Sequence, residues 1–225
     1  MTRLFVTATG TGIGKTLATS LLVRQLRAQG ETVAALKPVI SGFTDETAAE
    51  SDTAELLRAL DRPMTHEAVA QISPWRFAAP LSPDMAAARE GRAVPFGDLI
   101  SFCCEPRDAD HVLIEGVGGA FVPLDGRHLV ADWIAALGIP ALLVCGSYLG
   151  TLSHTISTLE ALRNRHVFLA GILISESETS PVPPEEIRDS LQRFCGPVPI
   201  LNLPRLRHWS EAPDLTGLVA PAGRA

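Results

Sequence analysis

The feature that most constrains this chain is a glycine-rich stretch near its beginning, which lies between an apolar run and a helical pattern. Residues 8 to 16 read Ala-Thr-Gly-Thr-Gly-Ile-Gly-Lys-Thr, and the apolar run before them is Leu4-Phe5-Val6. Leucines follow at helical spacing from Leu17 to Leu26. A strand, a glycine-rich loop and a helix in this order point backbone N–H groups and a helix N-terminus at an anion. The stretch therefore predicts a phosphate site within an α/β fold.

The last two residues of this loop carry side chains suited to a nucleotide. Lys15 would reach the outer phosphates as a point charge, and Thr16 would place its hydroxyl on Mg²⁺. The strict pattern has a glycine five residues before Gly14, where this chain has Thr9, and a longer variant would need a glycine where Ala8 stands. An ordinary glycine-rich turn without a ligand is the alternative. The Lys-Thr pair after the last glycine favours the nucleotide site.

Net charge and apolar content limit the class of protein. The 225 residues have a formal net charge of −6, with 46% hydrophobic and 20% charged residues, which is ordinary for a globular protein. A protein that binds nucleic acid or a membrane surface needs clustered Lys and Arg, and the sequence has no such cluster. We therefore expect neither a nucleic acid nor a membrane as a partner.

The termini and the cysteines predict a cytoplasmic location. The first apolar run begins so soon after Met1 that no signal peptide is expected, and no run reaches the roughly 18 residues of a membrane span. The cysteines are Cys103, Cys104, Cys145 and Cys195. They lack the spacing of a metal site, so we expect buried, reduced thiols.

Apolar runs alternate with helical patterns along the chain. The predicted strands are Leu4–Thr7, Thr32–Val39, His111–Glu115, Ala141–Cys145, Phe168–Ile174 and Val198–Leu203. The predicted helices are Lys15–Gln29, Thr53–Leu60, Leu129–Leu137, Ser153–Asn164 and Pro184–Phe194. The strands are continuously apolar, which is typical of parallel strands buried on both faces. We predict a single doubly wound α/β domain over residues 1–225 with a mainly parallel sheet and a peripheral tail from about Ala212.

A lysine lies near the end of the second predicted strand. Lys37 is flanked by Leu36 and Pro38-Val39, and an unpaired ammonium is costly to bury. Ligands of such sheets bind beyond the carboxyl ends of the strands, so Lys37 is a candidate for binding phosphate or transition-state charge beside Lys15. The alternative is a surface lysine at a strand edge.

Two acids, one at the end of a predicted strand and one at the start of a predicted helix, could share a metal ion. Glu115 ends an apolar strand and precedes the glycine-rich segment Gly116–Gly119, although a strand-end acid can also point into solvent. Asp52 belongs to Ser51-Asp52-Thr53, which by itself reads as a plain helix N-cap. Mg²⁺ binds a few carboxylates and completes its octahedron with phosphate oxygens and water. The presence of both acids therefore favours a shared magnesium site.

Taken in order, several segments make the chain similar to the dethiobiotin synthetase family, from the first strand to about Glu211. The matching segments are Thr11-x-x-Gly14-Lys15-Thr16, Lys37-Pro38-Val39-x-Ser41-Gly42, Ser51-Asp52, Phe77-Ala78-x-Pro80-x-Ser82-Pro83, Glu115-Gly116-x-Gly118-Gly119, Ala131-Asp132-Trp133 and Leu149-Gly150-Thr151. The resemblance implies a P-loop NTPase-like fold and an ATP-dependent cyclo-ligase of biotin biosynthesis. Such an enzyme adds CO₂ to 7,8-diaminononanoate as a carbamate. ATP phosphorylates this carbamate, and the second amine then closes the ureido ring of dethiobiotin.

The resemblance also implies roles for individual residues. Lys15 and Lys37 would be catalytic, and Thr16, Asp52 and Glu115 would bind Mg²⁺. The ATP-binding residues would be Gly12, Ile13, Gly14, Lys15, Thr16, Leu17, Asp52, Glu115, Gly116, Val117, Gly118, Ser175, Glu176, Pro204, Arg205, Leu206 and Glu211. The substrate contacts would be Thr11, Lys37, Ser41, Gly118, Gly150 and Ser153. The family forms homodimers that bind substrate near the subunit interface, to which the helix after Gly150 contributes.

The chain departs from the family pattern at two places in the nucleotide site. The usual opening Gly-Thr-Asp-Thr is Ala8-Thr9-Gly10-Thr11 here, so that Gly10 replaces an acid. Ser175 stands where the family usually has an Asn whose amide reads adenine. A hydroxyl makes fewer of these hydrogen bonds, so we expect weaker discrimination of ATP from GTP.

Three other functions are open at the level of sequence. A partitioning-type ATPase that acts as a nucleotide switch has a similar fold, but it carries a signature lysine where this chain has Gly10. An amide synthetase of the cobyrinate type usually carries a glutaminase domain, for which this chain has no room. A catalytically degenerate relative would bind nucleotide without turnover.

Overall fold

A parallel sheet of six strands forms the centre of the computed structural model, which describes residues 1–219. The strands are β1 (Thr2–Ala8), β2 (Val33–Leu36), β3 (Val39–Ser41), β4 (Trp75–Phe77), β5 (His111–Glu115), β6 (Ala141–Gly146), β7 (Leu169–Ser175) and β8 (Ile200–Leu203). The main sheet has the order β2-β5-β1-β6-β7-β8, with every neighbouring pair parallel. Strands β3 and β4 form a separate parallel pair.

Helices cover both faces of the main sheet. They are α1 (Lys15–Ala28), α2 (Asp52–Ala59), α3 (His66–Ile72), α4 (Pro83–Arg89), α5 (Phe96–Cys104), α6 (Val130–Leu137), α7 (Thr151–Arg163) and α8 (Pro184–Cys195). Alternate residues of a strand point to opposite faces, and β1 illustrates this. Val6 packs with Leu21 of α1 in one apolar cluster, whereas Phe5 packs with Trp133 of α6 in the other. The predicted doubly wound fold is confirmed.

Most predicted elements are present with ends that differ by one or two residues, but the predicted strand Thr32–Val39 is wrong as a single strand. It breaks at Lys37 and Pro38 into β2 and β3. Proline has no N–H to donate to a ladder. The Lys37 amide instead donates to Ile72 O at 3.1 Å, and Pro38 O accepts from Trp75 N at 3.1 Å. The break leaves Lys37 at a strand end.

The last described segment lies deeper than predicted. The tail from about Ala212 was expected to be peripheral, yet Leu215 and Leu218 are buried. Gln25 of α1 holds this segment, since its Nε2 donates to Pro213 O and its Oε1 accepts from Leu215 N. The segment is buried because Leu215 and Leu218 pack in the apolar cluster between α1 and the sheet. The remainder of the predicted tail, residues 220–225, lies outside the described residues.

None of the helices within residues 1–219 combines the length and apolar character needed to cross a membrane. All four cysteines are free, as expected. Cys103, Cys145 and Cys195 are buried, whereas Cys104 is exposed because it faces outwards from the last turn of α5.

Candidate active site

The glycine-rich loop after β1 has a backbone that most side chains would not allow. Gly12 and Gly14 have φ values of 72° and 101°, in the left-handed region that favours glycine. Gly14 ends the loop as the residue before α1. The loop also touches the glycine-rich segment after β5, because a Cβ on Gly119 would lie 3.1 Å from Gly10 Cα. The two loops therefore form a continuous backbone surface at the carboxyl edge of the sheet.

Lys37 lies at the centre of a charged cluster beside this surface. Its Nζ lies 2.6 Å from Glu115 Oε1 and 2.7 Å from Asp52 Oδ2, and it donates to Gly116 O at 2.9 Å. Thr16 Oγ1 donates to the same Glu115 oxygen at 2.8 Å. Lys37 and Glu115 are buried, so neither the surface lysine nor the solvent-exposed acid describes this site.

Asp52 is free to join the cluster because its neighbour caps the helix. Ser51 is the N-cap residue of α2, and its Oγ accepts from Ala54 N at 3.2 Å. Asp52 is the first helical residue, and its carboxylate turns to Lys37. The plain N-cap interpretation thus applies to Ser51, and Asp52 takes the role of an ion-pair partner.

Lys15 and Lys37 lie in different electrostatic surroundings. Burial, and then the positive charge of Lys37, lower the pKa of Lys15 to about 8. Burial alone would lower the pKa of Lys37, but the charges of Glu115 and Asp52 outweigh it and raise that pKa above its usual value. Burial alone would raise the pKa of Asp52, yet Lys37 holds it below its usual range. These two lysines are the only ones in the chain, whose Lys and Arg residues total 19.

The oxygen atoms of this cluster fit a hard divalent cation. Glu115 Oε2 is buried and has no hydrogen-bond partner among the described residues. Carboxylate and hydroxyl oxygens are the ligand types that Mg²⁺ accepts. Within residues 1–219, no group of three or more His, Cys, Asp or Glu side chains could hold a metal alone. A cation here would therefore need further oxygens from a nucleotide and water.

A cavity of about 590 Å³ opens beside the cluster. Its lining residues include Thr11, Lys15, Thr16, Lys37, Ser41, Asp52, Val117 and Gly118 from the predicted site, together with Ile40, Pro80, Leu81, Ser82, Pro83 and Val122. Ser41 Oγ is buried without a partner among the described residues, so it is available to a ligand. Predicted contacts Gly150 and Ser153 are not among the lining residues.

A second pocket, of about 420 Å³, lies on the other side of the glycine-rich loop after β1. This loop, residues 9–14, is called the phosphate loop. It is lined by Gly12, Ile13, Gly14, Leu17, Ser175, Glu176, Ser177, Glu178, Pro204, Arg205 and Leu206. Glu176 joins two of its walls, because its Oε2 accepts from Arg205 N at 2.9 Å. Glu211 was predicted here but is not in the lining. Its carboxylate accepts instead from Arg207 N at 3.0 Å.

Sequence reasoning missed several lining residues of both pockets. Ser177 and Glu178 lie in a loop with no motif, and Ile40 and Val122 read as ordinary core residues. The segment Pro80–Pro83 was part of a matching motif, but nothing in its residue types indicated a cavity wall.

The fold and the loop define a P-loop nucleoside triphosphatase domain. A family model described as an AAA domain matches residues 2–212. In the MinC:MinD cell division complex of Aquifex aeolicus, one chain is similar with a TM-score of 0.53 and 13% identity, covering 92% of this chain and 82% of that one. MinD of Pyrococcus horikoshii, solved with Mg-ADP, has a TM-score of 0.51 and 19% identity, covering 90% and 81%. At these identities the likeness concerns the fold alone.

Curated relatives narrow this class to one family. The proteins named ATP-dependent dethiobiotin synthetase BioD from Acidiphilium cryptum and Methylobacterium nodulans are 52% and 47% identical to this chain. The alignments cover 88% and 87% of this chain, and 91% and 90% of the relatives. The protein of the same name from Caulobacter vibrioides is 43% identical, over 97% of this chain and 99% of its own. The chain belongs to the dethiobiotin synthetase family.

Proposed function

We propose that this protein catalyses the ATP-dependent formation of dethiobiotin from 7,8-diaminononanoate and CO₂. The proposal rests on one observation above all, the cluster in which buried Lys37 and Glu115 meet Asp52 and Thr16 beside the phosphate loop and a 590 Å³ cavity. The high identity to curated synthetases along nearly the whole chain supports it. A nucleotide switch of the partitioning type shares only the fold.

The reaction balances in three steps. One amine of the diamine adds to the carbon of CO₂ and loses a proton, which gives a carbamate. A carbamate oxygen takes the γ-phosphoryl group of ATP, with ADP as the leaving group. The second amine attacks the carbamoyl carbon, phosphate leaves, and the amine proton is released as the cyclic urea forms.

In this proposal the protein contributes position and charge. Lys15 binds the outer phosphates from the start of α1, and Lys37 holds the carbamate oxygens and offsets charge on the transferred phosphoryl group. Thr11, Ser41 and Gly118 contact the diamine. Ser41 suits this role because its hydroxyl is buried in the cavity without a partner among the described residues. The apolar lining of the same cavity suits the alkyl chain of the substrate.

Thr16, Asp52 and Glu115 are the residues that we propose hold Mg²⁺. When bound, the ion neutralises charge on the phosphate oxygens of ATP. The unpartnered Glu115 oxygen supports this assignment.

The 420 Å³ pocket is the site that we propose for adenosine, between Ser175–Glu178 and Pro204–Leu206. The phosphate loop separates it from the larger cavity, with Gly12 and Gly14 lining both. A nucleotide would thus lie across the loop with its γ-phosphate toward Lys37.

We also propose a homodimer and a cytoplasmic location. Gly150 and Ser153 do not line the cavity of their own chain. A contribution of the α7 N-terminus to the cavity of a partner subunit would reconcile this with the substrate role implied by the family. Leu149, beside this N-terminus, is 87% exposed, which suits a contact surface.

The direct test is phosphate release from Mg-ATP and bicarbonate, with and without 7,8-diaminononanoate, followed by mass analysis of the product. We expect phosphate release that depends on the diamine and a product with the mass of dethiobiotin. ATP binding without diamine-stimulated turnover would contradict the proposal and favour a switch or a degenerate relative.

A further inference from the structure

Two serine residues join the loops that follow β6 and β7. Ser147 N donates to Ser177 Oγ at 3.0 Å, and Ser177 N donates to Ser147 Oγ at 2.9 Å. Ser147 is fully buried. Its carbonyl accepts a third bond from Ser180 Oγ at 2.9 Å. The loops are therefore held by a reciprocal pair of part-buried hydrogen bonds.

Gly146, the last residue of β6, has no room for a side chain. A Cβ there would lie 2.6 Å from Tyr148 Cδ1 and 2.8 Å from Ser177 Oγ. The carbonyl of Gly146 also accepts from Thr151 Oγ1 at 2.6 Å, which ties the start of α7 to the same strand end. Ser177 thus lies against a strand end that is itself anchored to a helix.

The β7 loop forms a wall of the 420 Å³ pocket. Ser175, Glu176, Ser177 and Glu178 line the pocket in succession. Glu176 N donates to Leu203 O at 2.9 Å, which fixes the wall on the side of β8. The bonds between Ser177 and Ser147 fix it on the side of β6. The wall is therefore held by hydrogen bonds on both sides.

We propose that Ser147 and Ser177 position this wall for nucleotide binding, with Ser147 acting through Ser177 from outside the pocket lining. The inference rests on the proposed function, in which this pocket receives adenosine. A hydroxyl removed from Ser147 leaves the Ser177 N–H without its acceptor in a part-buried place. The wall then has to move to find water, and the pocket loses its pre-formed shape.

The test compares Ser147→Ala with Ser157→Ala. Ser157→Ala makes the same chemical change at an exposed position, and the Ser157 Oγ bonds only to carbonyls of its own helix, those of Ser153 and His154. We would titrate each variant with a fluorescent N-methylanthraniloyl derivative of ATP and measure KM for ATP, KM for the diamine and kcat. We expect the Kd and the ATP KM of Ser147→Ala to rise roughly five- to twentyfold. For Ser147→Ala the diamine KM and kcat should stay within about twofold of the unmodified protein, because a lost bond in the pocket wall does not touch the reacting atoms. For Ser157→Ala all four constants should stay within the same range.

A Kd for Ser147→Ala within about twofold of the unmodified protein would overturn the inference. The inference would also be overturned if the diamine KM of Ser147→Ala rose as much as its ATP KM, because that would indicate a general loss of structure around both pockets. If Ser147→Ala does not fold, Ser177→Ala at the half-buried end of the pair replaces it. Ser177→Thr, which keeps the hydroxyl, should then recover most of the affinity, and a Thr variant as weak as the Ala variant would contradict the role.

The titration also separates this inference from the proposed function. Nucleotide binding requires neither the diamine nor turnover. A protein that binds the ATP derivative but releases no diamine-dependent phosphate would contradict the synthetase proposal, while the ratio of the two Kd values would still decide the role of Ser147.

Discussion

Lys37 occupies the space between the two carboxylates that we propose as magnesium ligands. Its ammonium lies 2.6 Å from Glu115 Oε1 and 2.7 Å from Asp52 Oδ2. A divalent cation that binds these oxygens must share them with the lysine or displace it. Lysine and metal are therefore expected to compete, and metal binding would free Lys37 to hold an anionic substrate group.

This competition predicts that Lys37→Met binds Mn²⁺ more tightly than the unmodified protein. Removal of the ammonium leaves two carboxylates without compensation, which favours any cation that replaces it. We expect the Mn²⁺ affinity, measured by electron paramagnetic resonance without nucleotide, to rise roughly tenfold or more. Lys37→Arg, which keeps the charge, is the control. An equal or weaker affinity in Lys37→Met would argue against shared oxygens.

The lowered pKa of Lys15 predicts that ATP binding weakens at alkaline pH. A pKa of about 8 means that the amine is charged below that pH and loses its charge above it. Because ATP binds the charged form, its Kd should rise roughly tenfold between about pH 7 and about pH 9. Titration calorimetry with EDTA present would measure this without a metal ion. A flat profile over this range would show that Lys15 keeps an ordinary pKa.

At the scale of elements, the two glycine-rich loops meet backbone to backbone. A Cβ on Gly119 would lie 3.1 Å from both Cα and N of Gly10 and 3.3 Å from Thr9 C. These are main-chain atoms of the phosphate loop, so they cannot turn aside as a side chain can. The two loops can therefore lie this close together only because Gly119 has no side chain.

We predict that Gly119→Ala weakens ATP binding about tenfold, because the methyl group pushes the phosphate loop away from Lys37. Gly126→Ala is the matched control, since a Cβ there meets no atom within 4 Å and Gly126 has no positive φ. Equilibrium binding of ATP to both variants measures the effect. Equal affinities in the two variants would show that the loop contact can relax.

The sequence predicted the elements around the phosphate loop well and those between residues 61 and 105 poorly. The parallel strand β5 was predicted with the observed bounds, because its apolar run is continuous and ends at an acid. The short elements α3, α4 and β4, of seven, seven and three residues, were missed because so few residues give no clear periodicity. The longer α5 was missed as well, and only Leu99 and Cys103 of its residues are buried.

The site was predicted by residue type but not by geometry. Lys37 and Glu115 were selected because they lie at the ends of apolar runs, and Asp52 because it could share a metal ion with Glu115. The structure brings Lys37 within hydrogen-bond distance of both acids. Their mutual pairing depends on the interruption of the predicted strand at Lys37 and Pro38, which was not predicted. It depends also on the N-cap at Ser51, which was predicted only as an alternative to a metal-binding role for Asp52. The contact between Lys37 and Glu115 joins residues 78 positions apart, which no local pattern specifies.

At the scale of the whole molecule, the proposed homodimer leads to a prediction about Leu149. This side chain is 87% exposed next to the α7 N-terminus, at the carboxyl edge of the sheet. We expect the unmodified protein to be dimeric and Leu149→Glu to be largely monomeric, because a charge in an apolar contact is costly to desolvate. Size-exclusion chromatography with light scattering would measure both.

Phe194→Glu is the control for this prediction. Phe194 is 59% exposed on α8, near the opposite edge of the sheet, so a charge there should leave the dimer intact. Dissociation by both variants, or by neither, would place the subunit contact elsewhere.

Because the chain has only two lysines, amine-selective reagents have very few sites on this protein. Apart from the α-amino group, its amines are those of Lys15 and Lys37, and both lie in the cluster that we assign to nucleotide and substrate. Lys37 is engaged by two carboxylates, whereas the lowered pKa of Lys15 makes its free amine available near pH 8. A mild acylating reagent would therefore mark a single internal position. Protection of that position when ATP is present during labelling would let intact-mass spectrometry measure site occupancy directly.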